Sequence, residues 1–323
     1  MMSGARSSPH VVALSGGVGG AKLALGLSRV VEAKQLTIVA NTADDFEHLG
    51  LAISPDIDTV LYTLAGINNV EQGWGQAGES WQCMQMLERL GGDTWFRLGD
   101  RDLAIHLFRT QLLREKSLSL TQATQRLCQS LGIDAAVMPM CDQRVATMVQ
   151  TADGDMPFQQ YFVREQCQPV VCGFYFDGIK EAQISPQLVA ACTANLPSCI
   201  VLCPSNPYVS VAPMLAIPGM RKFLREQRAP IIAVSPIVGG NALKGPAAKM
   251  MCELGVEASA LTVAKYYSGF VDALVIDAVD AHHAQAIADL GMTPLVTQTV
   301  MRTLADREQL ARDVLKLAAR LAA

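Results

Sequence analysis

Residues 10–22 read HVVALSGGVGGAK, a stretch that changes character twice. Val11 to Leu14 form a short apolar run of the kind a parallel sheet buries on both faces. Gly16, Gly17, Gly19 and Gly20 then allow a sharp turn and a close approach to a ligand with no Cβ in the way. From Ala21 the pattern turns helical, with Leu23, Leu25, Leu27, Val30 and Val31 as apolar positions. Backbone N–H groups at a helix start attract an anion, and Lys22 can add a full positive charge. No Gly-Lys-Ser/Thr occurs, so this is not a P-loop. Lys22 stands where the dinucleotide fingerprint has its third glycine, so it is not that either. Four glycines exceed what a bare turn needs, and a phosphate-bearing ligand is the expected occupant.

Working outward, Leu36 to Ala40 reads as a second strand that ends in Asn41–Thr42–Ala43–Asp44–Asp45. Strand, glycine turn, helix and strand make a right-handed βαβ unit, and ligands bind at the carboxyl ends of such strands. The next segment, ISPDIDTVLY at 53–62, places Asp56 and Asp58 before a helix expected near Thr59. Either aspartate can serve as its cap. Asp44, Asp45, Asp56 and Asp58 thus lie within fifteen residues of otherwise apolar sequence. Such carboxylates repel one another unless a cation sits among them.

The bulk composition narrows the class. At 323 residues, half of them hydrophobic, with mean hydropathy +0.23, the chain can bury a large aliphatic core. Net charge −4 argues against a nucleic-acid binder working through bulk electrostatics. No apolar run approaches the ~20 residues of a membrane span. Residues 1–9 are small and polar and read as a disordered leader. Nine cysteines without a CxxC pair suggest reduced thiols in a cytoplasmic protein, Cys199 and Cys203 among them in a core strand.

Further along, a helix from Glu79 is closed by Gly91–Gly92. Arg97 precedes a glycine and could point into a pocket. Asp102 and His106 share a helix face, where a surface pair is the plain reading. Residues 146–151, a turn at Asp153–Gly154 and residues 158–163 predict an antiparallel hairpin, with 170–176 as a third strand. Residues 133–184 are therefore expected to be a small β-rich insertion. Residues 10–132 and 185–323 form a nucleotide-binding α/β domain, Rossmann-like, with a mostly parallel sheet and helices on both faces. Strands at 198–203, 230–234 and 273–276 follow. Ser205, Asn206, Gly239, Gly240 and Asn241 fall at strand carboxyl ends, where they can hydrogen-bond a base or phosphate. Residues 303–323 predict a long amphipathic helix against the sheet.

Taken together, SGGVGGAKLALGL (15–27), NTADD (41–45), ISPDIDTVLYTL (53–64), LGDRDLAIH (98–106), FQQYFV (158–163), PSNPYVS (204–210), PGMR (218–221) and AVSPIVGGNALKGPAAKMM (233–251) span nearly the whole chain. In them the chain resembles the 2-phospho-L-lactate transferases of coenzyme F420 biosynthesis. One departure is Pro139–Met140–Cys141–Asp142–Gln143, where the family tends to have Pro-Met-Ser-Asp-Asp. The resemblance implies transfer of a phosphorylated three-carbon acid from a guanosine-diphosphate-linked donor to 7,8-didemethyl-8-hydroxy-5-deazariboflavin, with release of GMP. The acid resembles phospholactate in some members and phosphoenolpyruvate or phosphoglycerate in others. The implied deazaflavin contacts fall on Asp58 and Arg97. Related enzymes use magnesium, for which Asp45 and Asp58 are the expected ligands, with Asp44 and Asp56 in reserve. Asp58 is also the expected general base. Gly16, Gly17, Gly19, Gly20 and Lys22 would hold the diphosphate, and Ser205, Asn206, Gly239, Gly240 and Asn241 the guanosine half. The family tends to form homodimers.

Two other classes compete. Relatives sharing the glycine turn and the NT-x-D-D segment resemble regulatory proteins linked to gluconeogenesis, which bind a nucleotide sugar without catalysis; deazaflavin binding separates the two. A nicotinamide-dependent dehydrogenase is disfavoured by the missing third glycine.

Overall fold

The computed structural model describes residues 10–323, so the expected leader at 1–9 lies outside the described residues. Seven apolar segments become strands of one sheet: β1 (His10–Ser15), β2 (Leu36–Ala40), β3 (Ala136–Pro139), β4 (Pro197–Leu202), β5 (Ile231–Val234), β6 (Ala273–Asp277) and β7 (Thr293–Thr297). Their order across the sheet is β7-β6-β5-β4-β1-β2-β3, and every pairing is parallel. Strand order reverses between β1 and β4. In open α/β sheets ligands bind in the crevice at such a point, beyond the strand carboxyl ends.

Every residue of β1, β2, β5 and β6 is buried, as expected of strands covered on both faces. Val11 and Ala13 face one apolar layer, made with α1 (Gly17–Val30), α2 (Pro55–Ala65) and the C-terminal helix Leu304–Leu321. Val12 and Leu14 face the other, which includes Met138, Val149, Tyr161 and Met250. The C-terminal helix opens with a capping box between Thr303 and Asp306.

Several expectations need correction: α2 begins at Pro55 with Ser54 at its N-cap, not near Thr59, and the helix expected from Glu79 begins at Gln82. The first strand of the 133–184 stretch, β3, is the edge of the main sheet and pairs with β2. The antiparallel unit comprises residues 146–151, 154–157 and 171–177. Within it, residues 158–163 are not a strand. The turn at Gly154 is tight, so the partner strand ends at Pro157; Phe158 and Tyr161 then bury at helical spacing. Finally, α1 begins at Gly17 rather than Ala21. The glycines form its first turn, and β7 is a strand that the sequence pattern did not announce.

The segment between α2 and β3 carries α3 (Gln82–Arg89), α4 (Asp100–Arg114) and α5 (Leu120–Ser130). Two of these cap each other. The Asp100 carboxylate accepts from Gln82 and Cys83 N–H at the start of α3. Glu79 accepts from Arg101 and Asp102 N–H at the start of α4. Each carboxylate satisfies orphan donors and meets the positive end of a helix. Asp142 does the same for Thr121 N–H in α5, so this residue of the departing segment has a structural task.

Candidate active site

The switch point is closed by direct hydrogen bonds between the loops after β1 and β4. Ser205 Oγ accepts from Gly16 N–H at 3.0 Å and donates to the Gly16 carbonyl at 2.8 Å. The glycines have distinct reasons. A Cβ at Gly16 would lie 2.5 Å from Ser210 Cβ, and one at Gly19 would lie 2.3 Å from the Pro204 carbonyl oxygen. Only Gly17 among them has positive φ, +63°, and a Cβ there would meet nothing within 4 Å. Thus Gly16, Gly19 and Gly20 permit close packing, while the space above Gly17 is open.

An anion of the chain itself already stands at the start of α1. Asp56 Oδ1 accepts from Gly17 N–H at 2.7 Å, and Oδ2 accepts from Asn41 Nδ2 at 2.9 Å. Burial raises the Asp56 carboxyl to about 6, against the pull of these two hydrogen bonds. Asp45 Oδ2 accepts from Ser54 Oγ at 2.7 Å, while Asp45 Oδ1 and Asp44 Oδ1 are enclosed without a partner. Burial pushes both carboxyls well above the usual range. Repulsion from Asp56 and Asp45 adds to this at Asp44, whereas the Ser54 hydrogen bond and attraction by Arg109 oppose it at Asp45.

Asp58 belongs to a different arrangement. Both its oxygens accept from Arg109, Oδ2 at 3.0 Å from Nη1 and Oδ1 from Nη2. Arg109 is completely buried, and Asp58 nearly so. Burial works against the Arg109 charge, but the Asp58 pair more than offsets it and raises that pKa. Arg109 Nη1 also donates to His106 Nδ1 at 3.2 Å. A guanidinium only donates, so Nδ1 accepts and the ring proton sits on Nε2. Nε2 lies 3.3 Å from Asp102 Oδ1, which also accepts from the Tyr62 hydroxyl at 2.5 Å. Burial tends to raise the Asp102 carboxyl, yet hydrogen bonding from His106 and Tyr62 brings it below the usual range. Asp102 and His106 are therefore buried members of a network, not the expected surface pair. Arg109, seven residues beyond Asp102, completes a polar stripe on α4. That i, i+4, i+7 spacing was the readable signal for Arg109.

The profile of the family described as "2-phospho-L-lactate transferase CofD" matches residues 11–319. The chain belongs to the CofD family. It is 36% identical over 306 residues to a 2-phospho-L-lactate transferase of Methanosarcina mazei, covering 95% of this chain and 99% of that one. It is 39% identical over 311 residues to one from Methanopyrus kandleri, covering 95% and 97%. A phosphoenolpyruvate transferase of Streptomyces griseus is 36% identical over 315 residues, covering 96% and 98%. The Bacillus halodurans member of the UPF0052 family superposes with TM-score 0.62 at 15% identity over 96% of this chain and 99% of that one, a likeness of fold.

Not all the sequence-derived residues of this CofD-family chain converge. Asn41, Asp44, Asp45, Asp56, Gly16, Gly17 and Ser205 are brought together at the switch point by the contacts above. Asn206 Oδ1 accepts from Tyr208 N–H and starts a helical turn. Gly239 and Gly240 both have positive φ, +56° and +78°, and form the two-residue turn of a hairpin between 237–238 and 241–242. Asn241 Nδ2 donates to the Gly239 carbonyl. Turn geometry thus accounts for these three. Lys22 Nζ donates to the Met301 carbonyl at 3.1 Å, and its side chain enters a separate cavity beside α2. Exposed Arg97 lies over the Trp81 ring, 4.8 Å from its centroid. Nearby in sequence, Trp95 and Phe96 cluster with Phe46 and His48, ring centroids 4.9–6.2 Å apart.

Proposed function

We propose that this chain transfers a phosphorylated three-carbon acid from a guanosine-diphosphate-linked donor to 7,8-didemethyl-8-hydroxy-5-deazariboflavin in coenzyme F420 biosynthesis, releasing GMP. Within the family, the observation that carries this reading is the buried carboxylate group at the switch point, beside a helix start with open space above Gly17. Phosphoryl transfer needs positioned groups and neutralised charge more than covalent catalysis. The family description and the names of its relatives support phospholactate and phosphoenolpyruvate as candidates for the transferred acid.

Magnesium fits part of the expected ligand set. Asp45 and Asp44 each keep an enclosed oxygen without a partner, the hard donor that such an ion takes in ones and twos alongside substrate phosphates. Asp58 does not fit, because Arg109 occupies both its oxygens. Asp45 with Asp44 would hold the ion, which when bound would neutralise charge on the donor phosphates. Asp56, with a carboxyl near 6, is matched to accept a proton near neutral pH, whereas both oxygens of Asp58 are taken by Arg109. In the step proposed, the terminal ribityl hydroxyl oxygen attacks the phosphorus bearing the acid. The bond to the GMP oxygen breaks, and the hydroxyl proton passes to Asp56. Asp58, held by Arg109, is proposed to accept from the ribityl chain only through a lone pair that the guanidinium leaves. Arg97 and the aromatic cluster beside it support a flat, partly anionic ring. Ser205, Asn206 and the Gly239–Asn241 hairpin remain the proposed guanosine edge.

All nine cysteines are free, which supports a cytoplasmic setting, and among the described residues no helix is long and apolar enough to cross a membrane. The substrates are small molecules; neither nucleic acid nor a membrane is a proposed partner. A homodimer is the proposed working unit, supported by the exposed Leu107 and Phe108 beside a groove lined by Leu51 on α4's outer side.

Incubation with the deazaflavin, magnesium and each guanosine-linked donor, followed by mass spectrometry, tests the proposal. A product heavier by the phosphorylated acid, together with GMP, is expected. Failure of every donor while the deazaflavin does not bind overturns it.

A further inference from the structure

Lys22 and Val18 lie one turn apart on α1, and both line a cavity of about 190 Å³ against α2, the 68–75 loop and the start of the C-terminal helix. Three cations reach this cavity from separate parts of the chain: Lys22, Lys244 and Arg307. Among the described residues none of them forms an ion pair. Each lysine donates to one backbone carbonyl, Lys22 to Met301 and Lys244 to Gln72, both at 3.1 Å. Two N–H donors of each ammonium remain for something else. Arg307 is only 8% exposed, and its Nε is enclosed without a hydrogen-bond partner. A guanidinium that deep is ordinarily paired. Glu71 is exposed at the rim and pairs with none of the three.

The three like charges act on one another. Burial, then Arg307, then Lys244 lower the Lys22 ammonium. Holding these groups together is unfavourable in the free protein and becomes favourable when a counter-charge enters. Thr59 and Thr63 add hydroxyls to the lining, and Trp74 an aromatic wall.

We propose that this cavity is a binding site for a small, multiply charged oxyanion, one carrying phosphate, pyrophosphate or a phosphorylated carboxylic acid. The proposal does not depend on the transfer chemistry above. Two sources supply such an anion: the charged end of the guanosine-linked donor, or a free phosphorylated metabolite.

Isothermal titration of the full chain with pyrophosphate, and separately with inorganic phosphate, tests the site. Saturable one-to-one binding is expected. Lys244→Met and Arg307→Met should each weaken it about tenfold or more, the loss of about 1.4 kcal/mol of binding energy. Lys244 is exposed, so its variant keeps the core intact even if Arg307→Met folds poorly. Displacement of pyrophosphate by GDP would assign the site to the donor. Simultaneous binding of both would assign it to a second phosphorylated ligand. Absence of saturable binding, or equal affinity in wild type and Lys244→Met, overturns the proposal, whatever the transfer assay shows.

Discussion

Two groups of buried carboxylates lie close together in this fold and are handled in opposite ways. Asp58 and Asp102 are enclosed with Arg109, His106 and Tyr62, and every carboxylate oxygen of Asp58 has a donor. Asp44 and Asp56 are as buried and Asp45 is half-buried, but their hydrogen-bond partners are neutral, and one oxygen each of Asp44 and Asp45 has none. Burying a carboxylate is expensive in both cases. In the first group the chain supplies the counter-charge during folding. In the second the cost persists as raised proton affinity, and the group is left ready for a cation or a proton. A satisfied network holds geometry, whereas an unsatisfied one is poised for ligand and chemistry.

The strongest way to break this contrast is Arg109→Met. Removing one partner of a buried pair leaves an uncompensated charge and should cost about 3–5 kcal/mol of stability. Urea unfolding measures it, and the double variant Arg109→Met with Asp58→Asn should recover part of the loss. A single variant within 1 kcal/mol of wild type would mean that Asp58 is not carried by Arg109.

The next largest effect is on pH dependence. The Asp56 carboxyl is raised in the folded state to about 6, so folding favours its protonated form. That contribution is fully present below the unfolded value near 4 and is lost as pH rises through about 6. At two units it amounts to about 3 kcal/mol at most. Asp44 and Asp45 shift in the same direction. Asp102, lowered, opposes them by losing stability as pH falls below its usual range. Metal-free protein should therefore lose stability between pH 4 and 7, and Asp56→Asn should flatten that slope. An identical slope in the variant would remove Asp56 from the raised group.

Asp45→Asn sharpens the same contrast from the ligand side. Removing an unpaired buried charge should stabilise the metal-free protein by about 1–2 kcal/mol while raising the magnesium needed for half-maximal transfer. Thermal melts with and without magnesium read both, and an unchanged magnesium titration would place the ion elsewhere. The smallest effect is expected at Arg97→Met. An exposed guanidinium over an aromatic ring contributes about 0.5–1 kcal/mol, a few-fold loss in deazaflavin affinity with GDP binding unaltered. Fluorescence titration of the deazaflavin checks it; equal affinity would confine Arg97 to packing on Trp81.

The parallel core was legible because its signal is local. Leu36 to Ala40 and the runs near 198–203, 230–234 and 273–276 are apolar on both faces, which only a covered strand tolerates. The edge strands were less so. β7 has only part of its surface covered, and β3 lies in a stretch that otherwise reads as antiparallel. Residues 158–163 read as a strand in the sequence because Phe158 and Tyr161 satisfy apolar patterning in either geometry. At the site, the four aspartates stood out by their density. Their pairing did not: Arg109 shares a stripe of α4 with Asp102 and His106, but it lies 51 residues beyond Asp58, and nothing in local spacing joins those two.

By itself, then, the sequence determined the βαβ start, the presence of a helix after β1, the family and the acids that gather at the strand ends, since each rests on neighbours along the chain. Only the tertiary structure decided which acids are neutralised. It gave Asp58 to Arg109 and Asp56 to Gly17 and Asn41, and left oxygens of Asp44 and Asp45 alone. It also set Lys22 beside Lys244 and Arg307 at one cavity. The physical reason is that a buried charge is governed by what lies within a few ångströms in space, and those neighbours come from helices and loops far apart in sequence.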